Sequence, residues 1–470
     1  MVDLTIWTTW NSMIPMLSFI SPPLLLAETA EAELGPMVLA GVLVSLIVIY
    51  LSSKLIGELC ARINLPPVLG ELLAGVLIGV SVLNLLIFPG EGEESTSILL
   101  TFLQATDGLT PELTAQVAES IGEVITVLSE VGVIILLFEI GLESDLKELI
   151  RVGPQAAVVA VIGVVVPFTL GTAGLIALFG VPAVPAIFAG AALTATSIGI
   201  TAKVLAEIQR LTSREGQIII GAAVLDDVLG IIVLAVVASL AKTGEIQISN
   251  IIYLIVSATI FLIGAILLGR LFNPYFVALV DRLKTRGQII LPALIFAFVL
   301  AYIGAAIQLE AILGAFAAGL VLAETEKRTE IEEQVIPIAD MLVPIFFVVV
   351  GAKTDISVLN PFNPANREGL IIATFLVVIA ILGKVVTGLG VFGQPGINRL
   401  AIGVGMVPRG EVGLVFAGVG SATGVLSESL DAAIIVMVIV TTFIAPPLLR
   451  LVFREESEDV ETVESLPKTE

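Results

Sequence analysis

The sequence predicts an all-α polytopic membrane protein of about 13 transmembrane helices, built as two inverted six-helix repeats with crossed discontinuous helices. Three observations carry this expectation. Of 470 residues, 57% are hydrophobic and 14% charged, with a mean hydropathy of +1.08, whereas soluble domains are about a quarter charged. Apolar stretches that approach the roughly 20 residues needed to cross a bilayer recur along the whole chain. Two segments of the first half return, in the same order, in the second.

The spans lie near 36–53, 65–88, 123–142, 155–179, 184–205, 216–240, 251–273, 288–308, 311–324, 334–352, 369–392, 400–420 and 430–451. With the spans numbered in order, most basic residues that flank them fall on one side, and only Lys242, Lys353 and Arg367 fall on the other. That asymmetry predicts an amino terminus outside and a carboxyl terminus in the cytoplasm of a bacterial-type inner membrane. Residues 1–35 form an N-terminal segment whose run from Ile14 to Ala27 is too short to span. A weak signal peptide, cut near Ala30-Glu31-Ala32, and an interfacial helix both remain open. Residues 90–122 are acidic and free of Lys and Arg, and residues 454–470 read as an acidic cytoplasmic tail without a fold of its own.

The repeat is specific in its glycines. Leu69-Gly-Glu-Leu-Leu-Ala-Gly-Val-Leu matches Leu313-Gly-Ala-Phe-Ala-Ala-Gly-Leu-Val, and the Gly141–Asp145 spacing matches Gly351–Asp355. Each half continues with a long apolar helix, a helix interrupted by polar residues (192–202 and 405–413) and a closing helix. The first repeat therefore occupies 36–250, a linker helix and loop 251–287, and the second repeat 288–453. Because six helices and one linker precede it, the second copy is inverted, which is an architecture of secondary transporters.

Composition narrows the chemistry. The chain has His 0 and Cys 1, which removes imidazole metal sites, histidine triads, and any intrachain disulfide. A net charge of -21 lacks the basic footprint of nucleic-acid binding. Protons must be handled by carboxylates or lysines.

Asp226 and Asp227 interrupt the apolar run 218–233 near its middle. Each carboxylate at a helix centre costs about 2.5–3.5 kcal/mol on insertion scales, so the pair marks an ion or proton pathway, an internal polar lock being the alternative. A proton and a hard cation compete for such oxygens, which supplies the chemistry of exchange. In Ala192-Leu-Thr-Ala-Thr-Ser-Ile-Gly-Ile-Thr201, the hydroxyls of Thr194, Thr196 and Ser197 offer further oxygen, unless they bond back to their own helix. Gly199 permits unwinding there. In Gly405-Met-Val-Pro-Arg-Gly-Glu-Val-Gly413, Pro408 and Gly410 break the helix, and Arg409 and Glu411 can balance the facing half-helix dipoles. Lys384 lies in the apolar run 377–386, where it must pair with a carboxylate, lose its proton or snorkel to the surface. Glu71 and Glu139, also in apolar runs, read as helix-packing or inter-helix hydrogen-bonding residues.

In these motifs together, over residues 36–452, the sequence resembles the monovalent cation:proton antiporter-2 family, with its NapA-type sodium/proton antiporters. The resemblance implies an NhaA/NapA-like fold with a core domain and a dimerisation domain, a homodimer, and elevator-like alternating access. It implies that Asp227 is the principal ion and proton carrier, and that Asp226 pairs with Lys384 until sodium binds. Thr196 and Ser197 would line the site, and Arg409 and Glu411 would balance charge at the crossing. A paired Asp-Asp resembles the electrogenic members, with two protons per sodium ion. The expected substrates are Na+, Li+ and H+, with no cofactor and no enzymatic activity. A K+/H+ antiporter of the same family is the nearest rival; with about 17 residues after the last span, nucleotide or glutathione regulation is not expected. A membrane-embedded aspartate-dependent enzyme is the rival from another class. The Gly-x-Gly-Asp and Asp-Asp-x-x-Asp motifs of such enzymes are absent, the second because Asp226-Asp-Val-Leu-Gly230 ends in glycine.

Overall fold

A computed structural model describes residues 22–86, 111–243, 248–360, 366–393 and 396–464. It divides into two units, residues 1–48 with 84–126, and residues 49–83 with 127–470. The first unit holds the start of α1 (Pro22–Arg62) and of α3 (Pro111–Glu143). The second contains α2 (Pro67–Ile78), α4 (Leu146–Phe179), α5 (Ala183–Ala192), α6 (Ile198–Glu207), α7 (Arg214–Thr243), α8 (Ile248–Val280), α9 (Ile290–Ala306) and α10 (Ala311–Leu322). It continues through α11 (Arg328–Ala352), α12 (Asn366–Val385), α13 (Arg399–Gly405), α14 (Glu411–Ala422) and α15 (Glu428–Glu464), together with the remainders of α1 and α3.

Eight described helices, α1, α3, α4, α7, α8, α11, α12 and α15, contain stretches long and apolar enough to cross a bilayer, and this is an integral multi-pass membrane protein. Its outer surface agrees, because large apolar side chains such as Ile260, Leu267, Leu271 and Ile295 are exposed, as hydrocarbon permits and water does not.

Several expectations change. The stretch 65–88 supplies a helix only to Ile78, because the chain then turns to bond α11: Val80 N–H donates to Ala352 O at 3.2 Å, and the Ser81 hydroxyl donates to Thr354 O. Of the acidic stretch 90–122, residues 90–110 lie outside the described residues, while 111–122 begin α3 behind Pro111 at its first position. The tail is not wholly without structure either. With no Gly or Pro between 448 and 464, α15 continues to Glu464. Residues 1–21 and 465–470 lie outside the described residues, and 30–32 are helical within α1.

Backbone packing within the second unit is unusually close where glycines meet. A Cβ on Gly75 of α2 would strike Val348 O and the Cα of Gly351 in α11, and one on Gly351 would strike Leu72 O. A Cβ on Gly319 of α10 would strike Phe138 O and the Cα of Gly141 in α3, and one on Gly141 would strike Phe316 O. Gly70 of α2 rests on Gly57 of α1 in the same way. Only glycine allows helices to touch backbone to backbone. In the other part of the unit, α4 packs along α7 and α12 packs along α15, with the broken helices α5/α6 and α13/α14 between them.

Candidate functional site

The site is built where two helices stop short. The chain leaves helix after Ala192 and resumes at Ile198, and leaves it again after Gly405 and resumes at Glu411. Unwinding at depth is tolerated only where the freed backbone groups find partners. Here the two breaks bond to each other: Ser197 N–H donates to Pro408 O at 2.8 Å.

The carbonyls at the ends of the first half-helices find different partners. At the end of α5, Leu193 O accepts from Arg409 Nη2 and Thr194 O accepts from Lys384 Nζ at 2.7 Å. At the end of α13, Gly405 O accepts from the Thr201 hydroxyl at 3.0 Å and Met406 O from the Thr196 hydroxyl at 3.2 Å. The carbonyl of Arg409 itself accepts from the Thr442 hydroxyl on α15.

Asp226 and Asp227 come to this point from the middle of α7. Both are buried, at 0% and 3% exposure. Lys384 Nζ lies 3.1 Å from Asp226 Oδ2 and 3.3 Å from Oδ1, so one ammonium joins Asp226 to the first break. Snorkelling is overturned: Lys384 is fully enclosed. It sits one residue before α12 ends, where 386–390 tighten into a 3-10 turn and the Thr387 hydroxyl donates to Lys384 O at 2.6 Å. Gly163 on α4 makes room for it, since a Cβ there would lie 3.1 Å from Lys384 Nζ.

Arg409 is also fully buried, with Nε and Nη1 left without hydrogen-bond partners. The formal charges of Asp226, Asp227, Lys384 and Arg409 cancel. A cation added to such a set would be a buried uncompensated charge, at a cost of about 3–5 kcal/mol, unless a positive charge leaves. The Ser197 Oγ is buried without a hydrogen-bond partner, pressed against Gly410, where a Cβ would fall 2.7 Å from it. Glu411 opens α14, and its side chain lies outside the described residues. Thr194 bonds back to its own helix, donating to Ala191 O at 2.8 Å. Glu71 lies on α2 and Glu139 on α3.

Sequence reasoning overlooked Thr201, Thr442 and Gly163. Thr442 belongs to a Thr-Thr pair in the apolar span 430–451, a weaker form of the signal that exposed the aspartates. Gly163 among valines gave no hint of a lysine opposite.

The protein-family model for the transmembrane sodium/hydrogen exchanger matches residues 42–455. The high-affinity Na(+)/H(+) antiporter NhaS3 of Synechocystis sp. is 68% identical over 442 residues, covering 94% of this chain and 96% of that protein. The Na(+)/H(+)-K(+) antiporter GerN of Bacillus cereus is 35% identical over 410 residues, covering 86% of this chain and 94% of that protein. Among solved structures, the sodium proton antiporter MjNhaP1 from Methanocaldococcus jannaschii aligns with a TM-score of 0.58 at 17% identity, over 94% of this chain and 99% of that one, a likeness of fold.

Proposed function

We propose, from the premise that this chain belongs to the sodium/hydrogen exchanger family, that it is a secondary transporter exchanging Na+, and also Li+, for H+ across the membrane that houses it. The observation that carries the reading is the buried Asp226-Asp227 pair, with Asp226 held by Lys384 to the Thr194 carbonyl at the first helix break. Asp227 is the principal carrier, binding a proton or a sodium ion but not both. Asp226 shares the cation, with Thr196 and Ser197 at the edge of the site. As sodium takes Asp226, Lys384 loses its carboxylate partner and gives up a proton to become the neutral amine; with the proton from Asp227, this gives two protons per sodium ion and an electrogenic cycle. Arg409 and Glu411 balance the half-helix ends.

Alternating access follows from an elevator-like step in a homodimer. The inverted-repeat reading pairs α1–α7 with α9–α15 and leaves α8 as the linker. It is supported by the reciprocal glycine contacts, Gly75 with Gly351 and Gly319 with Gly141. It is supported also by matched hydroxyls: Ser144 donates to Ile140 O and Thr354 to Val350 O, each four residues back. The excess of basic residues on one side supports an outside amino terminus. Exchange of K+ is the second reading, favoured by the 35% identity to a relative named as a Na(+)/H(+)-K(+) antiporter.

The test is dequenching of a pH-sensitive dye in proteoliposomes on separate addition of Na+, Li+ and K+. Sodium is expected to dequench, and Asp227→Asn to abolish the response. Sodium exchange at the wild-type rate in Asp227→Asn would overturn the assignment. Asp226→Asn is expected to exchange without responding to an imposed membrane potential.

A further inference from the structure

The far end of the half-helix α6 meets a helix that cannot cap itself. At the start of α2, Pro66 stands at the cap position and Pro67 at the first turn, with no side-chain cap of their own. Proline supplies no N–H and no side-chain acceptor, so the first-turn donors must look elsewhere. Val68 N–H donates to Glu207 Oε1 at 3.2 Å, from 139 residues away. The second oxygen, Oε2, is buried without a hydrogen-bond partner. A carboxylate on a helix N-terminus is a favourable, charge-assisted contact.

Glu207 is the last residue of α6, and Ser197, which bonds the second break, immediately precedes the first. The ten-residue α6 is about 15 Å long. One short rod thus joins the crossing to the N-terminus of α2. The two ends are held differently. Gly70 and Gly75 press α2 backbone to backbone on α1 and α11, so α2 has little freedom. The α6 end packs through Val204 and Leu205 and reaches α2 by the Glu207 carboxylate, beside a cavity of about 740 Å³ lined by Leu65, Ile208 and Arg450.

We propose that Glu207 is a positioning residue for ion exchange: its carboxylate latches α6 onto the N-terminus of α2 in one access state, and the contact breaks once in each cycle. This rests on the exchange reading above. Glu207 touches no ion; it acts through α6 on the population of the state in which the site faces one side. A ligand's apparent affinity from that side falls with the population of the competent state, and its affinity from the other side rises.

The experiment uses the full chain in proteoliposomes of fixed orientation, with sodium KM measured from each side. Glu207→Ala is expected to raise KM about fivefold from one side and lower it from the other. Glu207→Gln, whose amide oxygen still accepts from Val68 N–H, is expected to stay within twofold of wild type on both sides. KM values that do not move, that move in the same direction, or that move equally in the Ala and Gln variants overturn the latch. In a second arm, Leu65→Cys and Ile208→Cys in a Cys60→Ser background are joined by a short cleavable bis-methanethiosulfonate. The joined protein is expected to lose at least tenfold in exchange rate and to regain it on reduction. Full exchange while joined overturns the proposal. Wild-type protein is assayed beside every variant, so a failure of sodium exchange itself appears there first.

Discussion

The two helix breaks use the same backbone device and opposite chemistry. In the first, the freed carbonyls of Leu193 and Thr194 are taken by cations, Arg409 and Lys384; in the second, those of Gly405 and Met406 are taken by the hydroxyls of Thr201 and Thr196. A hydroxyl satisfies a carbonyl without bringing a charge. A lysine that satisfies a carbonyl while pairing with Asp226 cannot move without disturbing both. The carbonyls of the first break are therefore tied through Lys384 to Asp226, and those of the second rest on uncharged donors.

Variants can break this contrast in graded steps. Lys384→Ala removes the shared cation, leaving Asp226 without its ammonium and Thr194 O without its donor; it is expected to cost about 3–5 kcal/mol in denaturation of the purified protein. Adding Asp226→Asn should recover half or more of that loss, because the uncompensated charge is gone. A double variant no more stable than Lys384→Ala would place the loss in packing instead. Thr201→Val keeps the shape and orphans Gly405 O, for about 1–3 kcal/mol. Its sodium KM should stay within twofold, and a tenfold change would mean that the second break too is coupled to the ion. The smallest effect belongs to Thr194→Ala, since Lys384 bonds the backbone oxygen of that residue and the hydroxyl only bonds back to Ala191 O; about 0.5–1 kcal/mol is expected, with exchange unaltered.

Much of this was legible because membranes make polarity expensive. Two aspartates in a run of Ile, Val and Leu, and a Pro and Gly inside another apolar stretch, announce a buried charged cluster and a break without any structure. Lys384 was legible as a problem, and its solution depended on where α12 lay relative to α7. The hydroxyls were not legible. A threonine that bonds its own helix, like Thr194, and one that holds a distant carbonyl, like Thr201, are identical in sequence and differ only in the backbone they face. Helix limits failed where long-range contacts decide them: α2 stops at Ile78 because the next residues bond α11, which lies far along the chain. Glu207 falls in the same class, since its partner Val68 is 139 residues away.

The glycine contacts between α2 and α11 also bear on how the protein is made. The small face of α2 around Gly75 fits Gly351, and roughly 280 residues separate them, so at about 5–20 residues per second α2 waits about 15–55 s for its partner. During that time it is a short apolar helix with bare backbone on one side, dependent on lipid or the insertion machinery for cover. Release of the chain before α11 emerges would leave that face without its designated neighbour. The early helices of the second half, α10 and α11, thus complete the first half as much as their own.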